Sequence, residues 1–381
     1  MPHPLRLRTS WSPDEIRGKL FWGSGFGFLF HATNRGNVSY GYVDNDSTPD
    51  DLWVTPASIV GPIFCDNMVV GCNLASPVFP ELWVGNHHGI RRFRQSAFEP
   101  LLKLAETAGI THVGLGALFP FATDFGRCRV DRSVCLTTGH ACTVAALGMM
   151  VQDVCQRAGI RLRDASCCVF GGAGSVGGSI SRWLRYLGIG RLTIVDLAER
   201  KKILEELHRE LSAMAGRGAG GVEVVTVDAA AGIKPFSIGV IATNKAAPWL
   251  GCEILKKSSF WIDDSHPRAI LEEAERDLHG TVVCVECYVR GPHGLAQTVP
   301  FRLPSPRDCY SCFAEAYICW KEGMPSDFVV GRPTHEQVAL AFELLSKYDF
   351  SIGEYVDKAG VCIETDRLST AIEEVTQSVR R

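Results

Sequence analysis

The chain has 381 residues, of which 46% are hydrophobic, enough for two or three domains with buried cores. Lys and Arg number 39 against 42 Asp and Glu, and this near balance excludes a strongly basic surface, so we expect no nucleic-acid partner. The N-terminus lacks the apolar segment of a secretion signal, and Thr and His interrupt the uncharged stretch 133–152, so we expect no integral membrane segment. The 15 cysteines then indicate thiols in a reducing compartment, and we expect a cytoplasmic protein.

The N-terminal third has the pattern of short strands followed by a helix. Three apolar runs separated by Gly, Asn and Asp turns favour strands, at 20–22, 25–30 and 38–43. Apolar residues between 98 and 105 have helical spacing, and 110–118 is typical of a further strand. We predict an N-terminal α/β domain over residues 1–136 that binds the substrate.

A glycine-rich turn follows an apolar strand at 167–170. The pattern Gly172-x-Gly174-x-x-Gly177 precedes a helix from about Ser175, and a second strand ends on Asp196. This order is the dinucleotide-binding fingerprint, in which glycines allow a tight turn, close approach of a pyrophosphate and close helix packing. The residues that we expect to hold the cofactor here are Gly171, Gly172, Gly174, Ser175, Val176 and Gly177.

Four more apolar runs alternate with helical segments, at 222–227, 237–244, 260–264 and 282–289. Strands alternating with helices predict a doubly wound, Rossmann-like parallel sheet, and we assign it to residues 137–290. Ligands bind at the carboxyl ends of such strands, so we expect Thr243, Asn244 and Asp263 at the cofactor site. Residues 291–381 are predicted to form a mainly helical C-terminal part.

The cofactor is expected to be NADH or NADPH. Asp196 suits the free 2′-hydroxyl of NADH, whereas Arg200 after it can hold the 2′-phosphate of NADPH. Lys201 and Lys202 are more typical of a solvated helix face.

Cys312 stands where a helix begins, before Phe313-Ala-Glu315. Helix N–H groups lower the pKa of a thiol there, which produces a nucleophile, although a buried structural cysteine is the commoner role. The pairs Cys284-x-x-Cys287 and Cys309-x-x-Cys312 also have a spacing near that of zinc sites. A strand at 284–287 would direct its two thiols to opposite faces, so we expect no metal. A redox dithiol at Cys309 and Cys312 is a further alternative.

Two histidines lie next to a predicted helix or strand near these motifs. His140 opens a helix predicted over 141–158, and His266 follows the strand at 260–264. Each is a candidate to protonate a developing alkoxide. A packed or surface role is the ordinary alternative for either residue.

The motifs taken in order resemble the long-chain acyl-[acyl carrier protein] reductases of cyanobacteria over roughly residues 88–350. The segments that carry the resemblance are Thr137-Thr138-Gly139, the loop 171–177, Ile262-Asp263 with Pro267, Cys312-Phe-Ala-Glu315-Ala, and Gly331-Arg332. His140 stands where that family usually has Asn, Asp196 where it tends to have a basic residue, and 263–266 replaces a Gly-Gly-Tyr type sequence.

This resemblance implies an NADPH-dependent reduction of an acyl thioester, on acyl carrier protein or CoA, to an aldehyde that a partner enzyme can consume. Cys312 would accept the acyl group, Thr138 or His140 would stabilise the oxyanion, and Glu315 belongs to the same catalytic motif. The departures suggest a shorter or more polar acyl group. Two alternatives remain, a shikimate-dehydrogenase-like oxidoreductase acting on an alcohol, ketone or imine without covalent catalysis, and a non-catalytic, zinc-holding nucleotide-binding protein.

Overall fold

The computed structural model describes residues 11–31, 49–128, 130–214, 220–245, 248–299 and 301–380. The strand predicted at 38–43 lies outside these residues. The strands in chain order are β1 (Gly25–His31), β2 (Ser58–Cys65), β3 (Met68–Ser76), β4 (Ile110–Leu115), β5 (Cys135–Thr137), β6 (Ser166–Phe170), β7 (Arg191–Asp196), β8 (Val222–Thr226), β9 (Ile238–Ile241), β10 (Phe260–Asp263), β11 (Val283–Glu286), β12 (Val289–Arg290), β13 (Ala296–Gln297), β14 (Asp308–Cys309) and β15 (Ser351–Ile352).

The helices in chain order are α1 (Pro13–Arg17), α2 (Pro49–Val54), α3 (His87–Phe93), α4 (Glu99–Thr107), α5 (Phe119–Ala122), α6 (His140–Arg157), α7 (Ser175–Leu187), α8 (Lys201–Ala213), α9 (Cys252–Leu255), α10 (Glu272–Asp277), α11 (Ser311–Lys321), α12 (His335–Lys347) and α13 (Thr365–Arg380). A π-helical turn, Arg94–Phe98, joins α3 to α4. Among the described residues, no helix is both long enough and apolar enough to cross a membrane.

The chain divides into two compact units. The first comprises Met1–Cys142, Val289–Gly331 and Glu343–Ser351, and the second comprises Thr143–Tyr288, Arg332–Phe342 and Ile352–Arg381. Residues 291–381, predicted as one helical region, are instead shared between both units. The reason is packing, because α11 lies on β1 and β4 of the first unit and α13 on β10 and β11 of the second.

The first unit is built on a six-stranded mixed sheet in the order β13-β2-β3-β1-β4-β5. The strands β3, β1, β4 and β5 are parallel neighbours, whereas β2 and β13 add on in antiparallel pairs. Successive residues of a strand point to opposite faces. Leu29 of β1 belongs to a core that includes Phe93. Phe26 and Phe28 point to the other face, with ring centroids 5.2 and 5.4 Å from that of Phe313. We call this second side the α11 face.

The second unit contains the predicted doubly wound sheet. Its six strands are all parallel, in the order β11-β10-β9-β6-β7-β8. The chain moves outward from β6 through β7 to β8 and then returns to β9 on the other side of β6. The order therefore reverses between β6 and β9, and in such sheets ligands bind at the carboxyl ends of the strands beside this reversal. The Rossmann-like α/β fold expected from the sequence is confirmed.

Candidate functional site

The loop after β6 has the tight geometry that the glycine pattern predicts. Gly171 has a φ of +88°, which glycine adopts without strain. A Cβ on Gly177 would lie 2.1 Å from the carbonyl oxygen of Gly171, and one on Gly172 would lie 2.0 Å from Ile194 Cγ2. No side chain caps α7 at Gly174. The turn thus presents an uncapped helix N-terminus with backbone close to it, which fits the pyrophosphate of a dinucleotide.

Asp196 fastens this loop from the end of β7. Its Oδ2 accepts a 2.7 Å hydrogen bond from the N–H of Ala173, and its Oδ1 accepts one of 2.7 Å from the N–H of Leu197. The side chain is only 8% exposed. Its negative charge is therefore already shared with backbone donors, and Asp196 is a weaker indicator of a free ribose hydroxyl than the sequence pattern suggests.

Arginines surround the same loop. The Arg332 guanidinium donates a 3.2 Å hydrogen bond to the carbonyl of Ala173. Burial lowers the pKa of Arg332, and the nearby charges of Arg182 and Arg200 lower it further. Glu210 pairs with Arg182 at 2.6 Å, which leaves the positive charges of Arg200 and Arg332 in excess. The sequence did not indicate that Arg332 lies beside this loop, because Arg332 is far along the chain from the glycines.

Thr243 and Ser265 meet beyond the carboxyl ends of β9 and β10. The N–H of Thr243 donates to Ser265 Oγ at 3.2 Å, and the two hydroxyl oxygens are also 3.2 Å apart. Asn244 follows and is exposed. These residues lie at the ligand-binding edge of the sheet, where the sequence predicts cofactor contacts.

Asp263 belongs to a buried cluster of charged residues that the sequence did not reveal. Lys358 Nζ lies 3.7 Å from Asp263 Oδ2 and 2.9 Å from Glu286 Oε2. Burial raises the pKa of Asp263. Burial also acts to raise the pKa of Glu286, but Lys358 and His266 together hold it below its ordinary value. His266 Nε2 is 3.1 Å from Glu286 Oε1, so His266 lies in this cluster of the second unit.

Cys312 is the second residue of the eleven-residue helix α11, in the first unit. Its side chain is half-buried. The N-terminus of a helix carries a partial positive charge, which stabilises a thiolate at this position. The helix start that the sequence predicts near Cys312 is present, and the nucleophilic role of the thiol stays a prediction.

The backbone at Gly139 packs directly on Cys312. A Cβ on Gly139 would lie 2.1 Å from Cys312 Cβ and 2.5 Å from Cys312 Cα, and Gly139 has a φ of +79°. Only glycine combines this close approach with this conformation. The fold therefore brings together two motifs that are far apart in the sequence.

Glu315 ties the same two motifs together from within α11. It is fully buried, and its Oε1 accepts hydrogen bonds from the Thr137 hydroxyl and, at 3.0 Å, from the N–H of Gly139. Its Oε2 accepts one of 2.7 Å from the N–H of Cys142, in the first turn of α6. These donors occupy the carboxylate, so the geometry of Glu315, which the resemblance includes in the catalytic motif, favours positioning the backbone at Cys312.

Two hydroxyl groups on residues adjacent in sequence to Gly139 and Cys312 have no hydrogen-bond partner among the described residues. They are Thr138 Oγ1 and Ser311 Oγ, on side chains that are 1% and 3% exposed. A buried hydroxyl without a partner costs about 1–3 kcal/mol. An oxyanion at this point would give them an acceptor. Sequence reasoning identified Thr138 but missed Ser311, whose only sequence signal is its place before Cys312.

His140 begins α6, and its ring centroid lies 5.9 Å from that of Phe125. Burial lowers the pKa of His140 to about 4. The imidazole is therefore neutral near pH 7. It can donate a hydrogen bond to an oxyanion, as a neutral imidazole does in other enzymes, and its role in protonating an alkoxide stays a prediction.

The other cysteines near Cys312 are held as thiols. Burial raises the pKa of Cys142 and of Cys309 well above the ordinary value. In the second unit, burial raises the pKa of Cys284 to about 12. Within the described ranges, no three His, Cys, Asp or Glu side chains are grouped so that they could hold a metal ion.

Replacing Glu315 with Gln should change how stability depends on pH. Burial raises the pKa of Glu315 from 4.5 to about 7, against the opposing effect of its hydrogen bonds. A carboxyl with a raised pKa binds more protons in the folded chain, so its contribution to stability is full below pH 4.5 and is lost as pH rises to about 7. At 1.36 kcal/mol per unit, the wild type should lose up to about 3 kcal/mol relative to Glu315→Gln across that range.

Denaturant unfolding of both proteins at pH 5 and pH 8 measures this difference. Glu322→Gln is the matched control, because hydrogen bonds from Lys347 and Tyr348 hold the pKa of Glu322 below its ordinary value. A difference between wild type and Glu315→Gln that is the same at both pH values would contradict the prediction.

Comparisons with known proteins find one similar sequence and several similar structures. No protein-family model matches the chain. A long-chain acyl-[acyl-carrier-protein] reductase from Synechococcus elongatus is 26% identical over 203 residues, which cover 51% of this chain and 55% of that protein. The match thus spans only about half the length of that relative.

Solved structures that are similar include an L-tryptophan dehydrogenase from Nostoc punctiforme, with a TM-score of 0.39 and 12% identity over 94% of this chain and 88% of that one. A shikimate 5-dehydrogenase from Listeria monocytogenes has a TM-score of 0.31 and 10% identity, over 70% and 88% of the two chains. The sheet order and the glycine loop of this chain are themselves those of a dinucleotide-binding, Rossmann-like fold. The sequence match to the reductase supports a divergent relationship with that family.

Proposed function

We propose that this protein reduces an acyl thioester to an aldehyde through an acyl group held on Cys312. The observation that carries the proposal is the placement of Cys312 at the start of α11 against the backbone of Gly139. Thr138 precedes Gly139 and Ser311 precedes Cys312, and the buried hydroxyls of both have no hydrogen-bond partner among the described residues. The sequence match to an acyl-[acyl-carrier-protein] reductase supports a thioester on acyl carrier protein or CoA as the substrate.

The residues of the first unit supply the chemistry of acyl transfer. The Cys312 thiolate attacks the thioester carbonyl carbon, the bond from that carbon to the carrier sulfur breaks, and the carrier leaves as a thiol after taking up a proton. Thr138, Ser311 and the neutral imidazole of His140 are donors for the oxyanion that forms. When the carbonyl carbon has been reduced, the bond from Cys312 to that carbon breaks, which releases the aldehyde and restores the thiolate.

The second unit would hold the cofactor at the loop 171–177, with Thr243 and Asn244 at the same edge of the sheet. Bound NADH or NADPH supplies a hydride, which brings the two electrons that the reduction needs. We favour NADPH, because Arg200 and Arg332 leave excess positive charge beside the loop while the Asp196 carboxylate is engaged with backbone N–H groups. A planar guanidinium suits a 2′-phosphate well.

Replacing Arg200 with Ala should raise KM for NADPH about tenfold, the effect of losing one charge-assisted hydrogen bond of about 1.5 kcal/mol, and leave KM for NADH nearly unchanged. Steady-state kinetics with each cofactor measures both values. Lys202→Ala is the control, because Lys202 is an exposed cation close to Arg200 in the sequence. If Arg200→Ala raises KM for NADPH and KM for NADH by the same factor, Arg200 does not contact the 2′-phosphate.

Detection of the acyl-enzyme tests the proposed function. We expect incubation with octanoyl-CoA, without NADH or NADPH, to add one octanoyl group that is lost on treatment with a thiol. Peptide mapping should place it on Cys312, and subsequent addition of NADPH should release octanal. Cys362→Ser is the control, because the exposed Cys362 is where non-specific acylation would occur.

An adduct only on Cys362, with no aldehyde from any thioester, would overturn the proposal. Aldehyde formation without an adduct on Cys312 would leave a reductase that works without covalent catalysis.

A further inference from the structure

One polar side chain on the α11 face is buried and has no hydrogen-bond partner among the described residues. Asn73, in β3, is fully buried. Neither its side-chain nitrogen nor its side-chain oxygen makes a hydrogen bond to any residue that the structure describes. Each unmet group costs about 1–3 kcal/mol. Such a group in a folded protein requires an explanation, because nearly all buried polar atoms are paired.

The register of the sheet aligns Asn73 with the elements that hold Cys312. Paired residues of neighbouring strands point to the same face of a sheet. Thr137 of β5 pairs with Gly114 of β4, Gly114 with Phe28 of β1, Phe28 with Asn73, and Asn73 with Gly61 of β2. We call these five positions the Asn73 row.

Cys312 lies above one end of this row. A Cβ on Gly114 would lie 3.2 Å from the carbonyl oxygen of Cys312, and Phe28 contacts Phe313 of the same helix. Asn73 is two strands away from Gly114 on the same face. Because neighbouring strands are about 4.8 Å apart, Asn73 lies about 10 Å from Gly114 along the row.

Aromatic side chains occupy the row between Gly114 and Asn73 and the positions around it. The Phe301 ring lies 5.9 Å from that of Phe28 and 5.1 Å from that of Phe30. Beyond Asn73, a Cβ on Gly61 would lie 2.1 Å from Thr298 Oγ1, so the row ends there. The row therefore runs from beneath the backbone of Cys312, past aromatic rings, to an amide whose donors and acceptor have no partner among the described residues.

We infer that Asn73 is a specificity-determining residue that hydrogen-bonds a hydroxyl or carbonyl group near the far end of the acyl chain held on Cys312. This inference rests on the proposed function and adds the class of acyl group. An amide offers both a donor and an acceptor, so it can pair with either group. A purely apolar acyl chain would leave Asn73 without a hydrogen-bond partner, so we expect it to bind less tightly than a chain with such a group.

Competition between matched thioesters tests the inference. The probes are hexanoyl-, octanoyl- and decanoyl-CoA and the same chains with a terminal hydroxyl. For the chain length that reaches Asn73, the wild type should have a kcat/KM about tenfold higher for the hydroxylated thioester, as expected for one buried hydrogen bond. Asn73→Leu should abolish or reverse this ratio and raise kcat/KM for the apolar chain.

Cys72→Ala is the matched control, because Cys72 is the buried neighbour of Asn73 that points into the core on the other face. It should leave the ratio unchanged. Asn73→Ala serves as a second variant if Asn73→Leu does not fold. If both kinds of thioester give aldehyde, and the ratio of their kcat/KM values is the same in the wild type and the Asn73 variants, the inference is overturned and the proposed function stays intact. Aldehyde from no thioester would overturn the proposed function itself.

Discussion

Replacing Cys312 with Ser should lower the rate of aldehyde formation at least about a thousandfold, the scale seen when a covalent nucleophile is removed. A serine hydroxyl at the start of α11 remains protonated near pH 7, because the helix N-terminus can lower the pKa of a thiol into the useful range but not that of an alcohol. The acyl adduct should disappear in the same variant. Cofactor binding to the second unit should be unchanged, since Cys312 belongs to the first.

Single-turnover measurements with octanoyl-CoA, in parallel with NADPH titration, separate these two effects. Cys319→Ser is the matched control, because Cys319 is a buried thiol in the same helix whose pKa burial raises strongly. It should retain the adduct and most of the activity. Full aldehyde formation by Cys312→Ser would exclude the covalent route and favour a dehydrogenase that transfers hydride without an acyl-enzyme.

Replacing Gly139 with Ala should lower kcat about a hundredfold, because a new Cβ would collide with Cys312 and displace the thiol by a fraction of an ångström to an ångström. The residue would also be strained at a φ of +79°, which costs on the order of 1 kcal/mol or more. We therefore expect lower thermal stability as well as lower activity. The acyl adduct should form more slowly in proportion to kcat.

The Gly159→Ala variant distinguishes the effect of backbone strain from that of the collision with Cys312. Gly159 has a φ of +63°, yet a Cβ added there meets no atom within 4 Å. This variant should lose stability by a similar amount and keep its activity. If Gly139→Ala is as active as Gly159→Ala, the approach of Gly139 to Cys312 is not important for catalysis.

The Rossmann sheet could be predicted from the sequence because its signals are local. Each strand is an apolar run of a few residues, and the glycines occupy positions fixed relative to β6 and α7. The start of α11 at Ser311 could be predicted for the same reason, because the residues that indicate a helix there are close neighbours of Cys312 in the sequence. Such features depend on neighbours in the chain, which the sequence displays directly.

The remaining parts of the candidate site depend on residues that only the fold brings together. Arg332 reaches the glycine loop and Lys358 reaches Asp263 from segments that follow the sheet in sequence. The neutral state of His140 follows from burial, which no local pattern reports. Asn73 is a single polar residue within an apolar strand. It can be singled out only when the register of the sheet is known and its lack of hydrogen-bond partners among the described residues is seen.

The division of the chain has a consequence for how the protein can be cut or rearranged. Each unit is assembled from three separate segments, so neither corresponds to one continuous stretch of coding sequence. A truncation after Tyr288 would remove α11 with Cys312 from the first unit and α13 from the second. Fragments made at that point are expected to be insoluble, and exchange of one unit for that of a relative requires several coordinated junctions.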